Sequence, residues 1–210
     1  MALGCKQLLI KERREGVKIV YMREPEHGRV RMGIGEGEDV GRYSVSLATV
    51  SELGLMRGME LGDEAFSVIA SDDGRYRCMK RALSLLSYGD NTKGALLMKL
   101  LRSGFPKDVA AECIRECLRL GYIDERRQIE RAVINEANRS FRGRSYIMKK
   151  LRSKGYSASD ISEVIDMLID SGEIDFGKSF ERLCEKKGVS GDEERTALLY
   201  KYGYRTADID

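Results

Sequence analysis

The feature that most constrains this chain is that it repeats itself. Lys99-Leu100 and Gly104-Phe105 return as Lys150-Leu151 and Gly155-Tyr156, 51 residues later. At the same offset Ala110, Cys113, Ile114, Cys117 and Leu118 fall on Ile161, Val164, Ile165, Leu168 and Ile169. Gly121-Tyr122-Ile123-Asp124 falls on Gly172-Glu173-Ile174-Asp175, and Leu199 to Tyr204 with Ala207-Asp208-Ile209 echoes the unit a third time, in part. Within each copy the apolar residues recur with a period near 3.6, the spacing of one helix face. A short amphipathic unit cannot bury its apolar face alone, so copies at a fixed period stack on their neighbours. The reading is a helical domain over residues 73–210, made of three-helix repeats at about 73–124, 125–175 and 176–210, the last incomplete.

Local signals place the helices. Ala82, Leu83, Leu85 and Leu86 share one helix, and Leu96, Leu97, Leu100 and Leu101 share a second, with Asn91 or Thr92 as its N-cap. Gly104 ends that helix. Pro106 opens a third, where its missing N–H costs nothing, and Gly121 ends it.

The first 72 residues read differently, as a small β-rich domain. Val17 to Met22 and Arg29 to Ile34 alternate in polarity around Glu24-Pro25-Glu26-His27-Gly28, which has turn chemistry, so they predict a hairpin. Arg42 to Leu47 predicts a third strand, and Val50 to Leu55 a short helix ending near Gly54. The fold class expected is mainly α: tandem three-helix repeats in an elongated curved stack, preceded by this small β-rich domain.

Composition narrows the function. No apolar run approaches the roughly 18 residues of a membrane span, and Met1 to Lys11 is too short and interrupted for a signal peptide. The expected location is the cytoplasm, where Cys5, Cys78, Cys113, Cys117 and Cys184 would be reduced thiols. Cys113 and Cys117 fall on an apolar helix face, and the one histidine, His27, lies in a turn of the other domain. Core packing explains the two cysteines better than a metal does. Gly33-Ile34-Gly35-Glu36-Gly37 lacks the Gly-Lys-Ser/Thr of a phosphate loop and reads as a flexible hairpin tail or loop. One histidine leaves little scope for a triad. The chain is read as non-enzymatic, with no metal and no cofactor.

The net charge of +3 says little, but its distribution says more. From Arg126 to Lys154 there are ten basic residues and two acidic ones, Glu130 and Glu136; from Tyr156 onward there are seven basic and thirteen acidic. Arg139, Arg142, Arg144, Lys149, Lys150, Arg152 and Lys154 flank a helix that turns Ile147, Met148 and Leu151 inward. A solvated helix face is the plain explanation. The scarcity of compensating acids favours an anionic partner, and nucleic-acid phosphate or an acidic protein groove would fit equally on charge.

These repeats resemble the RecX family of regulators of the RecA recombinase, over about residues 75–210. The resemblance is carried by Ala82-Leu83-Ser84-Leu85-Leu86-Ser87-Tyr88, by Lys99 to Phe105, by Leu120-Gly121-Tyr122-Ile123-Asp124-Glu125 and by Gly143-Arg144-Ser145-Tyr146-Ile147 followed by Leu151 to Tyr156. The segment before them, with Gly54-Leu55-x-x-Gly58, is similar to the β-rich extension of some members. The chain departs from the family pattern at Gln128 and Ile129, where Phe-Ala is usual. The resemblance implies a monomer that binds RecA and its filament on single-stranded DNA. It implies modulation, chiefly inhibition, of recombinase, ATPase and coprotease activity in DNA repair and the SOS response. The seven cations named above would then meet RecA or DNA. The alternatives are a helical DNA-binding module acting without RecA and a scaffold for another acidic protein.

Overall fold

The computed structural model describes residues 17–209; Cys5 and the segment read for a signal peptide lie outside them. Three strands, β1 (Lys18–Met22), β2 (Arg29–Glu36) and β3 (Asp39–Ser46), precede nine α-helices among the described residues. These are α1 (Leu47–Glu52), α2 (Asp63–Ser87), α3 (Lys93–Arg102), α4 (Lys107–Arg119), α5 (Glu125–Asn138), α6 (Arg144–Ser153), α7 (Ala158–Asp170), α8 (Phe176–Lys187) and α9 (Asp192–Tyr202), with a 3-10 turn at Thr206–Asp208. The chain is mainly α with a small antiparallel sheet, as the sequence predicts.

The helix boundaries reproduce the repeat. Displaced by 51 residues, Lys93–Arg102 becomes Arg144–Ser153 and Lys107–Arg119 becomes Ala158–Asp170. Each middle helix ends in the same cap: Phe105, Tyr156 and Tyr204 donate their backbone N–H to Leu100, Leu151 and Leu199. The preceding residue must turn left-handed (Gly203 has φ 77°), which glycine alone does without strain. Thr92, and not Asn91, caps α3, its hydroxyl accepting from the Ala95 N–H at 3.0 Å.

Two compact units are present. The first comprises the described residues up to Leu85 together with Leu97–Glu116. Its sheet runs β1-β2-β3. Ile19, Val30, Met32, Ile34, Tyr43 and Val45 form one buried face, against which Leu55 and Ile69 pack. His27 and Gly28, both at positive φ, make the tight β1–β2 turn. The glycine-rich segment is mostly strand: β2 runs on past the predicted Ile34 through Gly35 and Glu36, and only Gly37 and Glu38 turn. The reason is packing. The Tyr21 ring lies where a side chain on Gly33 would go.

Helix α2 begins at Asp63, well before the periodic pattern is visible, and runs through the expected domain boundary at 72–73. Its carboxylates fasten it to the edge strand. Asp72 accepts from the Ser46 N–H at 2.7 Å and from Arg29 at 2.8 Å. Asp73 accepts from the Ser44 N–H at 2.9 Å. Outward N–H groups of β3 are thereby satisfied and closed to further strands.

The second unit comprises Leu86–Leu96 and the described residues from Cys117 onward. Two repeats share one core there: Ile129, Val133, Ile147 and Leu151 from one, Phe180, Leu183, Cys184 and Tyr204 from the next, with Ile161, Val164, Ile165 and Leu168 of α7 among them. Each such side chain contributes about 1.5–3 kcal/mol by leaving water. Cys113 and Cys117 are buried, as their place on an apolar stripe predicts.

Candidate anionic-partner surface

Helix α6 carries the basic block, and its N-terminus is held by backbone. Gly143 precedes it without a side-chain cap. Instead, the Gly143 N–H donates to the Tyr202 carbonyl at 3.0 Å and the Ser145 N–H to the Gly203 carbonyl at 2.9 Å. The unsatisfied ends of α6 and α9 thus satisfy each other, N-terminus to C-terminus. There is no room for a side chain at either glycine. A Cβ on Gly143 would strike the backbone of Gly203 and Tyr204, and one on Gly203 would come within 2.6 Å of the Tyr146 nitrogen.

This anchoring fixes the seven cations in two groups. Three are used by the fold. The Arg142 guanidinium lies between the rings of Tyr146 and Tyr202, 4.4 and 4.6 Å from their centroids. Arg144, only 11% exposed, pairs with Asp166 at 2.6 Å and donates to the Ser162 hydroxyl at 3.0 Å. Lys150 pairs at 2.7 Å with the buried Glu136. Four face solvent: Arg139 at the end of α5, Lys149 and Arg152 on α6, and Lys154 just past it. Among the described residues these four side chains make no ion pair. Lys149 and Arg152, three positions apart, occupy one stripe of the helix.

Besides Glu130 and Glu136 of the block itself, acids from elsewhere in the chain neutralise part of this region. Arg126 reaches Glu163 at 2.8 Å and Arg131 reaches Asp90 at 2.9 Å. Arg127 is a further exposed cation of the same block, with no ion pair among the described residues; its type alone could have singled it out. Sequence reasoning missed a second cation-rich site altogether. The first unit holds a groove of about 1660 Å³ whose lining comes from β1, β2, β3, α2 and the segment after α3.

The wider chemistry of this surface is electrostatic. Buried titratable groups in the second unit are structural: burial pushes the Tyr156 phenol up, and its hydroxyl donates to Gln128 at 2.9 Å. Gln128, a departure from the family pattern, is buried and serves as that acceptor. The Tyr204 phenol is pushed up further by burial, and its hydroxyl has no hydrogen-bond partner among the described residues. No helix among the described residues is long and apolar enough to cross a membrane.

A three-helix repeat with a recurring glycine cap, joined to a small antiparallel sheet, defines a class of helical-repeat proteins, and known members of that class share this fold. A crystal structure of a regulatory protein RecX superposes with a TM-score of 0.65 over 91% of this chain and 96% of that one, at 20% identity. In sequence, the regulatory protein RecX of Oceanobacillus iheyensis is 26% identical over 131 residues, 62% of this chain and 48% of that protein. The regulatory protein RecX of Limosilactobacillus reuteri is 24% identical over 168 residues, 79% of this chain and 64% of that protein. The chain thus spans between about half and two thirds of the length of these relatives. No protein-family model matches it. The chain is similar in sequence and in fold to the RecX regulatory proteins, as its motifs imply.

Proposed function

We propose that this protein is a non-enzymatic regulator that binds RecA and its filament on single-stranded DNA and lowers recombinase, ATPase and coprotease activity. The observation that carries the reading is the sequence match to proteins named as RecX regulators. The RecA partnership comes from that resemblance. The surface supports it in a narrower way. Arg139, Lys149, Arg152 and Lys154 are cations without ion pairs among the described residues, on or beside helix α6, whose N-terminus the fold fixes by backbone contacts. They are the residues assigned to meet an acidic protein groove or DNA phosphate. Arg142, Arg144 and Lys150 position that helix. The protein acts as a cytoplasmic monomer in this reading, in recombinational repair and the SOS response.

The test is the ATPase rate of RecA on single-stranded DNA with substoichiometric amounts of this protein. A dose-dependent fall, weakened when Lys149 and Arg152 are both reversed to Glu, is the expected result. No change across several salt concentrations, with a RecA from the same source, would overturn the reading. Binding to DNA without RecA, abolished by the same two reversals, would favour the DNA-binding module instead.

A further inference from the structure

The groove of the first unit gathers like charges from segments far apart in sequence. Arg23, Arg31 and Arg42 come from the sheet region, and Arg77, Lys80 and Arg81 from α2. The acids in its lining are Glu38 and Asp73. Asp73 is already committed, to the Ser44 N–H at 2.9 Å and to Arg77 at 3.6 Å. Arg42, Lys80 and Arg81 are exposed and form no ion pair among the described residues. Residues 77, 80 and 81 lie three and four apart, so α2 presents them on one face, a spacing at which like charges weaken a helix. A fold that assembles this cluster keeps it at a cost unless an anion occupies it.

The aromatic lining is equally specific. Tyr21, Tyr76 and Phe105 line the same groove, with Tyr43 buried beneath it and the Arg29 guanidinium 4.2 Å from the Tyr76 ring centroid. A β-bulge between Ile19 and Tyr21 sets the register so that Tyr21 lies opposite Gly33, away from the face of Ile19, Met32 and Ile34. Arg42 pairs with the same glycine from the other side, and Arg31 shares that face. Gly33 and the bulge together free a tyrosine ring from the core and set it among arginines.

We propose that this groove binds single-stranded nucleic acid, with backbone phosphates on Arg42, Lys80 and Arg81 and bases against the rings of Tyr21, Tyr76 and Phe105. Its volume of about 1660 Å³ exceeds the roughly 300–1,000 Å³ of small-molecule pockets, which favours a polymer. An acidic peptide would use the cations but not the rings. A duplex keeps its base faces stacked inside. A single strand offers both phosphates and free base faces, and cations interleaved with aromatics are how sequence-tolerant strand binding is built. The inference stands on the first unit alone and is independent of any action on RecA.

The test is fluorescence anisotropy of a labelled oligothymidylate of about 16 nucleotides with the full chain, without RecA, over a range of salt. The expected result is binding that weakens with salt and falls at least about tenfold when Arg42, Lys80 and Arg81 are reversed to Glu. Neutralising Lys80 and Arg81 to Gln is expected to reduce the log–log salt slope by about 1.4, the increment for two phosphates on a single strand. Tyr21→Leu is expected to weaken binding at unchanged slope. Reversing Arg182 and Lys187 on α8 is expected to leave affinity within about twofold, the control for net charge. Four results would each overturn the proposal: no binding by the unaltered chain, an unaffected triple reversal, competition by polyglutamate equal to that of oligothymidylate, or tighter binding of a duplex of the same length. Photocrosslinking of a 5-bromouracil oligonucleotide to the unaltered chain needs no variant to fold. Adducts on peptides containing Tyr21 or Tyr76 would support the groove, and adducts confined to residues 139–154 would overturn it.

Discussion

The basic helix α6 and the basic groove of the first unit hold similar numbers of cations and gather them in opposite ways. The helix is conspicuous in the sequence because its charges are consecutive, yet folding uses three of the seven. Asp166 and Glu136 take Arg144 and Lys150, and two tyrosines enclose Arg142. The groove is invisible in the sequence because its six cations are scattered from Arg23 to Arg81, and four of them (Arg23, Arg42, Lys80 and Arg81) form no ion pair among the described residues. A run of like charge in a sequence marks where a fold must supply counter-charges. A cluster of like charge drawn from distant segments is assembled by folding itself, and there too acids reach only part of it, Glu26 at Arg31 and Asp73 at Arg77.

The sharpest way to break this comparison is through backbone fit. Helix α6 is held where Gly143 touches the turn at Gly203, so Gly143→Ala is expected to lose about 3 kcal/mol of stability or more, because the added methyl meets backbone that cannot rotate away. Gly74 lies inside α2 with open space around its Cβ position, and Gly74→Ala is expected to gain about 0.5–1 kcal/mol. Urea denaturation of both variants decides it. Equal effects would mean that α6 is no more tightly positioned than α2.

Next in size is the carboxylate pair that sets α2 against the sheet. Burial pushes the Asp72 carboxyl up, but hydrogen bonds from Ser46 and Arg29 outweigh it and hold the group below the usual carboxylate range. Burial wins at Asp73, which is held above that range despite its bonds to Ser44 and Arg77. The signs are therefore opposite. The stability from Asp72 is present above the unfolded pKa of about 4 and is lost as pH falls through its lower folded value. That from Asp73 is fully present below the unfolded pKa and is lost as pH rises through its higher folded value. Asp72→Ala, which leaves the part-buried Arg29 without its carboxylate, is expected to cost about 2–3 kcal/mol at neutral pH. Asp73→Asn, which keeps an acceptor toward Ser44, is expected to make stability fall more steeply between neutral pH and pH 3, and Asp72→Asn to make it fall less steeply. Thermal midpoints over that range are the measurement, and matching slopes in the two variants would refute the opposition.

What the sequence discloses and what it hides follow the same physics. The repeat is legible because each copy must present the same apolar stripe and the same left-handed glycine. Cys78, Ile129 and Phe180 occupy one buried position in three helices despite their different shapes. The N-terminal half of α2 is not legible, because Asp72, Asp73 and Gly74 look like a turn. Only the sheet edge explains why carboxylates lie inside a helix there. Nor is it legible that the second strand continues past Ile34 through Gly35, since the backbone at Asp39 and Val40 that needs its missing side chain comes from another segment. Of the surface residues, composition finds the basic helix but cannot tell Lys149 from Arg144. The acid that takes Arg144 lies in the following helix, inside the block that reads as acidic. Tyr204 shows the same limit. Its counterpart Tyr156 donates to Gln128, but the residue that follows Gln128 by one repeat is Ser179, and the Tyr204 hydroxyl is left without an acceptor.

The finest test separates two cations on one helix. Arg144 has 11% of its side chain exposed and holds both Asp166 and Ser162, while Lys149, five residues on, is exposed and holds neither an acid nor a ring. Arg144→Met keeps most of the apolar length and removes the charge. It is expected to cost about 1–2 kcal/mol, limited because Asp166 is more than half exposed and stays hydrated when its partner goes. Lys149→Met is expected to leave the urea midpoint where it is. The functional readout runs the other way. Lys149→Met is expected to weaken the effect on RecA ATPase at unchanged stability, and Arg144→Met to weaken it only under conditions where the protein also begins to unfold. If Arg144→Met instead left stability intact and removed the effect on RecA, then Arg144 would be a contact residue with an internal partner. Pairing inside the fold would no longer separate structural cations from functional ones, and the contrast between helix and groove would lose its basis.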